Sequence, residues 1–169
     1  MTGRQGWPPL PPEDGRSVGI DFVAIDFETV GYGNGADNEP WQLGAAVVRG
    51  GVIVETHEWF FGTALTPDAE PMMAQWASWQ PVLARRRLVA HSTATERTIL
   101  TRVAPLEKWG PWVDTLRLAK ARYPRMPSYA LGDLCAAFGI APRIEGRTWH
   151  DGLYDAVACA NLALHLALW

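Results

Sequence analysis

The chain has 169 residues, enough for one domain with a sizeable core and too few for two ordinary ones. Hydrophobic residues make up 48% and charged residues 20%, which excludes a disordered or fibrous chain. A net charge of −3 excludes a strong overall pull toward polyanions, so contact with nucleic acid would rest on a local patch or on metal ions.

Arginine far outnumbers lysine among the 15 basic residues, and tryptophan occurs nine times. Cys135 and Cys159 fall on apolar faces of predicted helices and read as buried thiols of a reducing compartment. No apolar run reaches membrane-spanning length and no signal-like segment opens the chain, so the expected location is cytoplasmic.

Residues 1–18 contain Trp7-Pro8-Pro9-Leu10-Pro11-Pro12 among Gly, Arg and acidic residues and read as a disordered, solvated tail. A ligand for a proline-binding module is the lesser alternative. Residues 19–169 then form a single domain. Along residues 21–28 the β-forming run alternates sides. Phe22, Ala24, Asp26 and Glu28 share one face, and Val23, Ile25 and Phe27 share the other. Carboxylates two residues apart on one strand face sit roughly 6.5–7 Å apart at the backbone and can converge. They repel each other at the end of an apolar strand unless a cation lies between them.

Gly31-Tyr32-Gly33-Asn34-Gly35 lacks dinucleotide-binding spacing and leads to Pro40 and a β-rich run instead of a helix. Residues 41–49 and 52–60 read as two strands joined at Gly50-Gly51, a hairpin signal. His57 is an ordinary strand histidine in that reading. Residues 68–87 look helical in part, interrupted by Pro71 and Pro81. Trp76 and Trp79, three apart, suit core packing and a partner surface equally. Arg85-Arg86-Arg87 reads as a solvated turn, with phosphate contact as the lesser alternative, before a short fourth strand at Leu88-Val89-Ala90.

Residues 94–106 predict an amphipathic helix with Ile99, Leu100, Val103 and Leu106 on one side. Glu96 falls on that same side in the first turn. Trp112-Val113 opens a fifth strand or turn, and Asp114-Thr115 begins a helix to about Arg122. Ser128 is the expected N-cap of a helix through Phe138, with Gly139 as its C-cap. The last helix runs from about Gly152 to Leu168. Its apolar face carries Asp155 as well as Cys159, Leu162 and Leu166, and His150 stands just before it. His165 near its end suits the helix dipole.

Asp26, Glu28, Glu96 and Asp155 are thus acids where apolar residues are expected, with His150 beside the last. If they converge, they suit hard divalent cations with oxygen ligands. Two such ions roughly 3.5–4 Å apart can hold a phosphodiester and activate water. An imidazole beside them suits a general base.

At these residues the chain resembles the DEDDh, or DnaQ-like, 3′→5′ exonucleases. Ala24-Ile25-Asp26-Phe27-Glu28-Thr29 is similar to the family's first motif, and Trp41-Gln42-Leu43-Gly44-Ala45 to its second strand. Val89-Ala90-His91-Ser92-Thr93-Ala94-Thr95-Glu96 stands in the place of the second motif, with Glu96 where Asp is usual, Ser92 where Asn is usual and Thr95 where Phe is usual. Asp114-Thr115-Leu116 and Ser128-Tyr129-Ala130-Leu131 resemble later landmarks. His150-Asp151-Gly152-Leu153-Tyr154-Asp155-Ala156 matches the third motif, His-x4-Asp-Ala.

The resemblance covers about residues 21–168. It implies an RNase H-like α/β fold, a central five-stranded mixed sheet flanked by helices, with three antiparallel strands first. It also implies two Mg²⁺ or Mn²⁺ ions, single-stranded 3′ ends of DNA or RNA as substrate, and release of nucleoside monophosphates. By the same resemblance Asp26, Glu28, Asp155 and Glu96 would bind metal and His150 would be the base. Phe27, Thr29, His91 and Trp149 would line the site for the terminal nucleotide, Trp149 either stacking on a base or packing on the fold. Two other readings stand beside it. One is a catalytically weakened nucleic-acid-binding or polymerase-accessory module of the same fold. The other is a structural subunit whose Trp surface docks on a polymerase or on another copy of the chain.

Overall fold

A computed structural model describes residues 20–31 and 38–167 of the chain. The Pro-rich tail expected over 1–18, most of the Gly31–Gly35 loop and Leu168 lie outside the described residues.

Among the described residues five strands form one sheet in the order β3-β2-β1-β4-β5. β1 (Phe22–Val30), β2 (Glu39–Arg49) and β3 (Val52–Phe60) form an antiparallel meander, turned at Gly50-Gly51, both with positive φ as the hairpin requires. β4 (Leu88–Ala90) pairs parallel to β1, and β5 (Trp112–Asp114) parallel to β4. The expected mixed sheet, antiparallel strands first, is the one observed.

The alternation along β1 assigns its two faces to two cores. Val23, Ile25 and Phe27 pack with Leu43, Ala45 and Val47 against Trp79 and Leu83 of α1 (Trp76–Leu83) and Ile99 and Leu100 of α2 (Ala94–Val103). Phe22 and Ala24 pack with Ala46, Val48, Val89 and Val113 against Val157, Cys159, Ala160 and Ala163 of α5 (Gly152–Ala167). α3 (Thr115–Arg122) and α4 (Leu131–Phe138) meet α5 through Ala119, Leu134, Leu162 and Leu166. Of the tryptophans at helical spacing, Trp79 belongs to the core and Trp76, partly exposed, packs against it. Trp79 is fully buried, packs edge-on to Trp76 and against Trp109, and donates its indole N–H to the Met72 carbonyl at 2.8 Å. Cys135 and Cys159 are free buried thiols. No helix among the described residues is long and apolar enough to cross a membrane.

Several boundaries differ from the sequence expectation. Pro81 lies inside α1 instead of breaking it; the carbonyl it leaves unbonded, four residues back, belongs to exposed Ala77 near the helix start, where water can satisfy it. α2 stops at Val103, not 106. Pro105 disfavours a helical residue before it, and Ala104 adopts φ −141°, ψ 76°. Leu106, expected on the apolar side, is therefore 98% exposed. α4 begins at Leu131 with Ala130 as N-cap, because the Ser128 hydroxyl accepts a hydrogen bond from the Ala130 N–H at 3.2 Å and closes a local turn instead of capping the helix. Gly139 ends α4 in the left-handed conformation, and Ile140 N–H reaches back to the Cys135 carbonyl at 2.9 Å.

One contact fixes where α5 begins. A Cβ on Gly44 would lie 2.0 Å from the Gly152 carbonyl oxygen, so the helix start rests directly on the β2 backbone. Gly44→Ala is expected to lower stability by about 3 kcal/mol, a drop in Tm of roughly 6–12 °C for a domain of this size, measured by thermal melting.

Candidate active site

Asp26 and Glu28 continue the β1 face that α5 covers, at the end where the β1–β2 register slips between Glu28 and Thr29. Asp155 comes from the first turn of α5, and its backbone N–H bonds to the Asp151 carbonyl at 2.8 Å. Asp26, Glu28 and Asp155 each offer a carboxylate oxygen within 4.8 Å of the other two. Glu96 enters from the other layer, in the first turn of α2, and is only 4% exposed. Among the described residues, Glu96 Oε2 and Asp155 Oδ1 are the buried side-chain oxygens without a hydrogen-bond partner. The four acids, distant in sequence, meet at one end of the sheet.

The electrostatics follow from that crowding. Burial, then the charges of Glu96, Asp155 and Glu28, push the Asp26 carboxyl up to about 9. Burial pushes Glu96 up to about 7, against the Phe27 backbone N–H, which favours its charged form. Burial, with Glu28 and Asp151, raises Asp155 to about 6, opposed by the His150 N–H and ring. Left to themselves, Asp26 keeps its proton at neutral pH, and Glu96 and Asp155 give theirs up only well above the usual carboxylate range. Two unpartnered buried oxygens in a set of hard oxygen donors that repel one another fit a divalent cation, which removes the repulsion and accepts the lone pairs.

His150 sits at the mouth of this cluster, exposed, with φ +69°. Its backbone N–H donates to Asp155 Oδ2 at 3.2 Å, tying the histidine turn to the acid five residues on. Asp151 caps α5, its Oδ1 accepting from the N–H groups of Leu153 at 3.0 Å and Tyr154 at 3.1 Å.

The remaining expected site residues are placed as follows. Thr29 is half-buried just past the β1 irregularity, and the Phe27 side chain belongs to the opposite core. The His91 Nε2–H donates to the Tyr129 carbonyl at 2.8 Å, which leaves Nδ1 to accept from the Thr115 hydroxyl at 2.9 Å. Both ring nitrogens serve the fold, and burial holds the imidazole below its usual pKa. Trp149 packs edge-on to Tyr154 at 4.9 Å and lies over Gly132. The Arg85–Arg87 run borders a cleft of about 460 Å³ with Arg49, Asp21 and Phe22. Phe22 is four strand residues before Asp26, so this cleft lies roughly 13 Å along β1 from the acids.

Four residues with a part in this geometry, Asp114, Gln42, Glu58 and Arg147, were not expected as site residues. The Asp114 carboxylate accepts from the N–H groups of Ser92 at 3.0 Å and Thr93 at 3.2 Å while capping α3 through Leu116 N–H at 2.9 Å. It thereby holds the left-handed Ser92 turn that launches α2 and Glu96. Gln42 is buried, its Oε1 accepting from Gly152 N–H at 2.9 Å and its Nε2 donating to Glu58 at 3.0 Å. Glu58 also holds Arg147. Asp114 was readable as a helix-start residue, but its second set of partners was not.

No protein-family model matches the chain. Its sequence is similar to a DNA polymerase III PolC-type of Mycoplasmopsis pulmonis, 29% identical over 88% of this chain and 12% of the relative. It is also similar to that of Bacillus subtilis strain 168, 27% identical over 86% of this chain and 11% of the relative. The chain therefore spans only about an eighth of the length of these relatives. Among solved structures, it superposes on Exonuclease X in complex with 5′ overhanging duplex DNA with a TM-score of 0.64 at 21% identity, covering 85% of this chain and 89% of that one. It superposes on the nuclease domain of 3′hExo, a DEDDh family member bound to rAMP, with a TM-score of 0.60 at 15% identity, covering 86% and 90%. The chain carries the RNase H-like fold of the DEDDh 3′→5′ exonucleases. In this fold β1 and α5 bring together the segments around Asp26 and Asp155, far apart in sequence, and the carboxylate cluster lies where they meet.

Proposed function

We propose that the chain is a metal-dependent 3′→5′ exonuclease that hydrolyses the last phosphodiester of a single-stranded DNA or RNA 3′ end and releases nucleoside monophosphates. The observation that carries this reading is the convergence of Asp26, Glu28 and Asp155 within 4.8 Å, beside the unpartnered buried oxygens of Asp155 and Glu96.

Asp26, Glu28 and Asp155 would hold the first of two Mg²⁺ or Mn²⁺ ions, with Asp26 shared and Glu96 facing the second. When bound, the ions supply charge for the phosphodiester and its leaving oxygen and lower the pKa of water. His150, on an exposed turn tied to Asp155, takes the proton from the attacking water. The exposed position gives the imidazole access to solvent, where that proton leaves. Thr29 and the Phe27 backbone border the place for the terminal nucleotide, with Trp149 at its rim. The polymerase names of the similar sequences support a polymerase as partner, beside self-association.

The test uses purified protein, 3′-labelled and 5′-labelled DNA and RNA oligonucleotides of matched sequence, and Mg²⁺ or Mn²⁺ against EDTA. Metal-dependent laddering from the 3′ end is the expected result. No metal-dependent release from either polymer would overturn the proposal.

Glu96 offers a second test. Aspartate shortens the side chain by one methylene, and an acid acting on the second ion through water tolerates that change. Glu96→Asp is expected to keep or raise the rate, while Glu96→Gln, which keeps the size and loses the charge, lowers it about 10–100-fold in the same assay. A dead Glu96→Asp protein would remove Glu96 from this role.

A further inference from the structure

The sheet register places Asp26, Gly44 and Glu58 in one cross-strand row, since Asp26 pairs with Gly44 and Gly44 with Glu58. Side chains of directly opposed residues point to the same face. The middle member has no side chain, and the first residue of α5 sits in that gap. Asp26 lies on one side of the helix start as part of the carboxylate cluster. Glu58 lies on the other side and is not part of that cluster.

Glu58 instead grips the turn that carries the histidine. The Arg147 guanidinium donates through Nη1 to Glu58 Oε2 and through Nη2 to Glu58 Oε1 at 2.8 Å, a two-pronged pair. The same Nη1 reaches Asp151 Oδ1 at 3.1 Å and Oδ2 at 3.2 Å. Both members of the pair are half-buried, with side chains 28% and 19% exposed. Gln42 closes the circuit by bonding Glu58 and the Gly152 N–H together. Arg147 and Asp151 therefore bracket Trp149 and His150, and the strand-held end of the bracket is Glu58. His150 itself is exposed and in the left-handed region, which a non-glycine residue keeps only when its surroundings hold it there.

We infer that Arg147, anchored on Glu58, is a positioning residue that holds the His150 turn against the carboxylate cluster. The inference rests on the proposed exonuclease reading and adds to it a residue pair outside the three motifs. Arg147 touches neither the acids of the cluster nor the place for the substrate; its effect on turnover passes through the placement of His150. A lysine at the same position keeps the charge but cannot make the fork.

The experiment measures kcat and KM of the full chain on a 3′-labelled oligonucleotide with Mn²⁺, together with Tm. Arg147→Ala is expected to lower kcat about 10–100-fold, the range for groups that orient a reactive side chain, while KM changes less than about threefold. Arg147→Lys and Glu58→Gln should show smaller losses of the same kind, and they carry the test if Arg147→Ala does not fold. The deciding measurement repeats Arg147→Ala in a His150→Ala background. With the base already gone, the arginine has nothing left to position, so no further loss is expected. A full additional loss there, or a wild-type kcat for the folded Arg147 variants, would overturn the inference while leaving the exonuclease reading intact. Absence of metal-dependent release by the unsubstituted protein would remove both.

Discussion

Asp26→Asn is expected to abolish turnover and, in the absence of metal, to make the protein more stable. The substitution keeps the shape of the side chain and removes the ionisable group at the most crowded point of the cluster, where burial and three neighbouring acids push the carboxyl up to about 9. In the proposed reaction Asp26 would hold the metal, whose transition-state charge stabilisation is several kcal/mol, and each 1.36 kcal/mol is tenfold, so the rate should fall about 10³-fold or more. An amide, which needs no proton taken up on folding, works the other way on stability, as for other sites that trade stability for activity. In EDTA the Tm of Asp26→Asn should exceed that of the parent chain. With saturating Mn²⁺ the order should reverse, because only the parent gains from binding. An active Asp26→Asn protein would remove Asp26 from the reaction.

The same crowding sets a pH dependence. Asp26, Glu96 and Asp155 have folded-state pKa values of about 9, 7 and 6, all above their ordinary carboxylate values. A raised acid stabilises the folded state most fully when it is protonated in both states, below the ordinary value. That stability is lost as pH rises through the folded value. In EDTA, Tm should therefore decline from about pH 4 to about pH 9, most steeply at the acid end where all three acids are protonated only in the folded state, with Asp155, then Glu96, then Asp26 ceasing to contribute as each ionises. Divalent metal should flatten the decline, since it favours the ionised carboxyls, and Asp26→Asn should make it shallower. These effects can be read in one set of melts with and without Mn²⁺.

What the sequence displayed and what it concealed divide along a physical line. The β1 faces were legible because side chains alternate at every residue, and the hairpin because Gly50-Gly51 is the turn chemistry itself. Asp26, Glu28, Glu96 and Asp155 were legible because each stands where its element should be apolar. The end of α2 was not, since the apolar spacing continues to Leu106 while Pro105 stops the helix before it. Ser128 misled because a hydroxyl can close a local turn as readily as cap a helix. Glu58 looks like any solvent-facing charge on a strand, and Arg147 like any loop arginine, 89 residues away from it. Their pairing is a property of the sheet register and of the path of one loop, and no periodicity encodes it. Gly44 shows the same limit. A glycine in a strand can mark a bulge or a close approach, and only the fold shows that the approaching group is the first residue of the helix carrying Asp155.

His150→Ala is expected to lower kcat about 10²–10⁴-fold, the range for loss of a positioned general base, with little change in affinity for metal or oligonucleotide. The turn around His150 is held by backbone, by Asp151 and by Arg147, not by the imidazole. Its N–H reaches Asp155 whatever the side chain, and Asp151 continues to cap α5. The carboxylate cluster should therefore survive the substitution, unlike that of Asp26→Asn, and Mn²⁺ should still raise the Tm. Because the position is exposed, free imidazole in the buffer can reach the space the side chain leaves and restore part of the rate, measured as a concentration-dependent rise in kcat. Rescue by imidazole with unchanged Mn²⁺ affinity assigns the proton transfer to His150. A wild-type rate for His150→Ala would mean that another group takes the proton. Loss of Mn²⁺ affinity instead would mean that the imidazole holds the cluster together and does not serve as its base.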